Sequence, residues 1–163
     1  MNDLDLVTSA PGGPEVRLTL LAVPSTVVLA RELVRYALTS WGFDREVIND
    51  STLVMSEIVT NAVAAAPGHQ VRLRCALQGG APLLECWDPS PEAPTLGAPS
   101  LLAESGRGMA IVSAYAKETG TRPSATGEGK VVWAHMPTTQ PVQPQRPLPP
   151  RVDERSNTHP SAQ

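Results

Sequence analysis

Residues 71–78 alternate cleanly: Val71, Leu73, Cys75 and Leu77 face one way, and Arg72, Arg74 and Gln78 face the other. A period of two marks a half-buried strand. Gly79, Gly80, Ala81 and Pro82 then supply a turn, and residues 83–88 return as a second strand. Strands joined this closely pair antiparallel. That pairing argues against a doubly wound parallel sheet and requires other elements to cover one face of the hairpin.

The rest of the chain supplies them. Residues 16–21 alternate apolar and polar and read as a first strand. Pro24 and Ser25 open a helix, with Ser25 as N-cap and Val28, Leu29, Leu33, Tyr36, Ala37 and Trp41 at helical spacing, and Gly42 ends it. Asp44 caps a second helix that runs through Ile48, Leu53, Ile58 and Val63 to a stop at Pro67 and Gly68. Residues 89–105 hold four prolines and no period, a length typical of lids and binding loops. A third helix is expected over residues 107–118. Two closing strands follow, over 119–123 and 130–136, around Gly127-Glu128-Gly129. The expected fold is α+β: a two-layer sandwich of a mixed, mainly antiparallel sheet with helices on one face.

Composition sets the limits of the folded part. Residues 1–14 are polar and rich in Gly and Pro, and are expected to be disordered. Seven of the 17 prolines lie from Pro137 onward, so residues 138–163 read as a disordered Pro/Gln-rich tail. The folded domain is expected over residues 15–137. A net charge of -3 argues against a direct nucleic-acid partner. No apolar run is long enough to span a bilayer, and the N-terminus lacks the pattern of a secretory signal, so no membrane is expected and the cytoplasm is the expected location. Cys75 and Cys86 sit in neighbouring strands and could meet across the hairpin, but two reduced thiols on an apolar face fit such a location better. His69, His135 and His159 are scattered, which argues against zinc.

Four short pieces carry chemistry. Glu57 and Asn61 are four residues apart on the second helix and so project from one face. An amide oxygen suits Mg²⁺, and a neighbouring carboxylate suits proton abstraction from a hydroxyl. Asp88 ends a strand, where it can accept from an exocyclic amine or simply start a turn before Pro89. Gly106, Arg107 and Gly108 precede a helix whose first amides would favour an anion. Lys130 follows Gly129 in the last strand.

In this order, Glu57-x-x-x-Asn61, Asp88-Pro89-Ser90, Gly106-Arg107-Gly108-Met109 and Gly129-Lys130-Val131-Val132-Trp133 resemble the Bergerat-fold ATPases. That superfamily groups gyrase, the heat-shock chaperone, histidine kinases and the mismatch-repair ATPase. The resemblance covers residues 18–136. It is strongest toward the stand-alone anti-sigma regulatory factors with serine/threonine kinase activity, of actinobacterial type, through residues 54–63 and 87–91.

The resemblance implies ATP and Mg²⁺ as cofactors. Glu57 would be the catalytic base, Asn61 the Mg²⁺ ligand and Asp88 the partner of the adenine amine. Gly106, Arg107, Gly108 and Met109 would border the lid over the phosphates, and Lys130 would lie where the adenine pocket closes. It also implies a sigma factor and an antagonist protein as partners, and a homodimer. Four positions depart from the pattern, the first being Ser90, where the wider superfamily has Gly, a swap usual for this branch. Ala65 stands where members often carry His, Glu104 where some kinases carry Arg, and Val131 where a Thr helps to bind adenine through water. These departures leave open a partner-sequestering module with weak or no catalysis.

Overall fold

The chain was examined as a computed structural model that describes residues 3–5, 13–92 and 108–138. Six strands and three helices follow in chain order: β1 (Asp3–Asp5), β2 (Glu15–Leu21), α1 (Thr26–Ser40), α2 (Arg45–Ala65), β3 (Gln70–Gln78), β4 (Ala81–Asp88), α3 (Gly108–Tyr115), β5 (Glu118–Pro123) and β6 (Lys130–His135). The strands form one sheet in the order β1-β2-β3-β4-β6-β5. Each pairing among the described residues is antiparallel, so the expected α+β sandwich holds with no parallel pair among them.

Alternation divides the sheet into two unlike faces. Val16, Leu18 and Leu20 of β2, Val71, Leu73 and Cys75 of β3, Leu84 and Cys86 of β4, and Val132 and Ala134 of β6 are buried in one cluster. Ala30, Val34, Ala37 and Leu38 of α1 and Val54, Met55, Ile58 and Val59 of α2 meet them there. Burying such side chains removes roughly 1.5–3 kcal/mol of unfavourable hydration each, which fixes the helices on this face.

The other face carries charge. Glu15 bridges Arg17 at 2.8 Å and Arg74 at 2.7 Å, and Glu85 bridges Arg74 and Arg122 at 2.9 Å each. This ladder ties β2, β3, β4 and β5 where no helix covers them. Arg72 lies 4.5 Å over the Trp87 ring beside it.

The element boundaries follow local chemistry. Asp44 caps α2 as expected, its Oδ1 accepting from the Val47 amide at 2.9 Å. Ser25 does not cap α1: its backbone is already helical and its side chain makes no cap hydrogen bond. The Thr26 hydroxyl donates to the Leu21 carbonyl instead and ties the start of α1 to the end of β2. The β3–β4 turn is tighter than expected, since Ala81 and Pro82 already belong to β4. Helix α3 stops at Tyr115 because β5 begins at Glu118.

A further departure lies at the sheet edge. Asp3–Asp5 pairs with β2, within a segment expected to lack structure. Cys75 and Cys86 do not face each other, because the register places Cys75 opposite Leu84 and Cys86 opposite Leu73. Both thiols are free and buried.

Candidate functional site

The site is built where the C-terminal end of β4 meets the start of β6. Asp88 is the last residue of β4, and the register sets it opposite Lys130, the first of β6. Asp88 is 0% exposed and Lys130 4%. The Lys130 Nζ donates to Asp88 Oδ1 at 2.9 Å and to the Ser90 carbonyl at 3.3 Å. The Ser90 amide donates to the same Oδ1 at 2.9 Å, the turn that an Asp before Pro makes. The other oxygen, Oδ2, is buried with no hydrogen-bond partner. Leaving a buried acceptor unmatched costs about 1–3 kcal/mol, so a donor that reaches this atom would be favoured.

The β5–β6 turn holds that arrangement in place. Trp87 Nε1 donates to the Glu128 carbonyl at 2.9 Å, and the Ser124 hydroxyl donates to the same oxygen at 2.6 Å. Gly129 has φ +71° and lies against the backbone of Asp88 and Pro89. Only a residue without a Cβ fits there, and the next residue is then delivered beside Asp88.

Glu57 and Asn61 lie on α2, which packs against both β4 and α3. A Cβ on Gly108 would stand 2.8 Å from Glu57 Oε2, so the first residue of α3 sits directly against that carboxylate. A carboxylate at a helix N-terminus faces free amides and the positive end of the helix dipole. The Asn61 amide nitrogen is buried without a partner. Two of the four such atoms among the described residues thus belong to Asp88 and Asn61, and the other two are the hydroxyls of Ser51 and Thr52, earlier on α2. Met109 packs against the core cluster, which gives it a structural role at the rim. Gly106, Arg107 and Glu104 lie outside the described residues.

Val131, read from the sequence as standing where the family carries a Thr, is not the residue of β6 opposite Asp88. Val131 pairs with Trp87 on the open face and lines a groove of about 570 Å³ with Arg17, Arg72, Arg74 and Arg122. The residue facing Asp88 is Lys130. Period two gives the reason, since neighbours in a strand point to opposite faces. Ser90 and Gly129 stand in the motifs, but their contacts with Asp88 and Lys130 were not foreseen. Both flank recognised residues, and the Pro89 turn and the Gly127–Gly129 pair were the signals available.

Among the described residues no three His, Cys, Asp or Glu side chains cluster to hold a metal. A divalent ion held by Asn61 would therefore complete its shell with phosphate oxygens and water. None of the model's helices, among the described residues, is long and apolar enough to cross a membrane.

Comparisons with known proteins bear on the fold and the family. The RsbU and RsbW domains of a protein from Mycobacterium tuberculosis have a crystal structure similar to this one, with TM-score 0.57 and 21% identity. The match covers 76% of this chain and 32% of that one, so this chain spans about a third of its length. Among curated proteins, none matches. Residues 20–136, most of the chain, match the histidine kinase-like ATPase domain, and the protein belongs to that family.

Proposed function

We propose that this protein binds ATP with Mg²⁺ and works as an anti-sigma regulatory factor that phosphorylates a serine of an antagonist protein. The observation that carries the reading is the buried, unpartnered Oδ2 of Asp88, an acceptor that an adenine amine would satisfy. Glu57 and Asn61 stand on one face of α2, with the start of α3 against Glu57.

In this reading Asp88 fixes the base, and Asn61 offers its amide oxygen to the ion. Arg107 and the first amides of α3 hold the phosphates. Glu57 orients the attacking serine hydroxyl and takes its proton. The ion, when bound, neutralises charge on the transferring phosphoryl group. Positioning does most of the work in such transfers, so small shifts of Glu57 would be costly. In this reading a sigma factor and its antagonist are the partners, and a homodimer is the working form.

A second reading is sequestration of a partner without transfer. Exposed Ala65 at the end of α2 favours it, because a methyl group supplies no polar contact there.

Calorimetric titration with ATP, with and without Mg²⁺, tests the first step beside an Asn61→Ala variant. Magnesium-dependent binding lost in the variant supports the nucleotide site. No binding at millimolar ATP removes it. Phosphate transfer to a protein serine, abolished in Glu57→Ala, then separates the kinase from the sequestering module.

A further inference from the structure

We infer that Lys130 reads the purine base directly, donating to its ring nitrogen N1 while Asp88 takes the neighbouring amine; this rests on the nucleotide site proposed above. An ammonium group has three N–H donors. Lys130 Nζ uses one on Asp88 Oδ1 at 2.9 Å and one, at 3.3 Å, on the Ser90 carbonyl. The third has no acceptor among the described residues, although the side chain is only 5% exposed. Beside it, Asp88 Oδ2 is buried without a donor.

The ion pair therefore ends in one free donor next to one free acceptor. Adenine presents the complement on its pairing edge, an amine donor beside the N1 acceptor. Guanine and hypoxanthine reverse both positions, setting a carbonyl against Oδ2 and an N1–H against the ammonium. A lone aspartate could prefer adenine through the amine alone. What Lys130 adds is sensitivity to N1 itself.

The register makes this a property of the fold rather than of a mobile side chain. Lys130 is delivered by Gly129, whose backbone lies against Asp88 and Pro89. The ammonium is tied to both Asp88 and the residue two further on.

The test compares ATP with its 1-deaza analogue, in which N1 is a C–H, by calorimetry on the intact protein, with thermal unfolding as a second readout. A lost hydrogen bond to a charged group predicts at least about tenfold weaker binding of the analogue. Its stabilisation against heat should fall accordingly. In Lys130→Met the two nucleotides should bind alike, each weaker than ATP to the unmodified protein. If that variant unfolds, the comparison in the unmodified protein still decides. Equal affinity of the unmodified protein for both nucleotides overturns the N1 contact and leaves the ATP site standing. Binding of neither nucleotide overturns the site itself, and the N1 contact with it.

Discussion

Gly108 and Glu57 share one space: a methyl group on the glycine would stand 2.8 Å from Oε2 of the glutamate. The glycine is required by close approach, since the helix that starts there runs against the carboxylate. Because the atom met is the far end of a flexible side chain, Gly108→Ala should fold with a stability change within about 1 kcal/mol. Its carboxylate must move, however. Phosphate transfer should fall on the order of 10–100-fold, with ATP affinity changed far less. Single-turnover assays beside calorimetry check this, and unchanged transfer would show that Glu57 does not act at the reacting hydroxyl.

Gly129 meets backbone rather than a side chain. A Cβ there would come within 2.8 Å of Pro89 Cα and closer still to the Asp88 carbonyl, at a φ of +71°. Gly129→Ala should therefore cost more than about 3 kcal/mol, with strain and the Lys130–Asp88 pair both at stake. Gly127, at φ +77° with open space around it, is the control, and its Ala variant should cost about 1 kcal/mol. Urea unfolding of the two variants separates backbone clash from conformational preference.

Glu15 sets an acid limit on stability. Burial pushes its carboxyl up, but the hydrogen bonds and charges of Arg17 and Arg74 together outweigh burial and hold it below its ordinary 4.5. A depressed acid stabilises the fold above its unfolded value and loses that contribution as pH falls through the folded value. Stability from this group should be full above about pH 4.5 and drain below it. Glu15→Gln should lower stability at neutral pH by about 1–3 kcal/mol and flatten the acid limb. Urea midpoints between pH 3 and pH 7, on the order of one per half unit, would show both effects.

The two thiols set an alkaline limit. Burial pushes Cys75 up from 9.0 to about 12, with the Arg74 charge opposing weakly. Burial, with the Asp88 charge adding to it, raises Cys86 as well, against the pull of Lys130. The unfolded chain loses these protons first, so stability is full below about pH 9 and declines above it. The slope should be about 1.4 kcal/mol per pH unit for each thiol, and Cys75→Ala should remove one share. A thiol reagent at pH near 8 should label neither cysteine until urea is added.

How much of this was legible depends on range along the chain. Period two in residues 71–78 gave β3 and its face, and Asp44 gave the start of α2, because both are decided by adjacent residues. The i, i+4 spacing of Glu57 and Asn61 placed them together for the same reason. Asp88 was legible as either a turn or an amine acceptor; its Oδ1 makes the turn, and its Oδ2 is left without a partner. The partnership of Lys130 with Asp88 was not legible. It spans 42 residues and depends on the register of β6 against β4. The same dependence hid that Val131 lies opposite Trp87 rather than Asp88, and that the two cysteines are two residues out of register.

The turn at Gly127-Glu128-Gly129 has a consequence for how such domains can diverge. Substitutions on the open face exchange one surface for another and leave the buried layer untouched. A one-residue insertion or deletion in this turn does something different. It would shift β6 by half a period and carry the ammonium to the outer face, and a deletion would bring the Val131 isopropyl group to Asp88. The length of this six-residue surface turn, 124–129, is thus tied to the register of a buried ion pair, and lineages that change it by one residue should have lost the charge pair altogether.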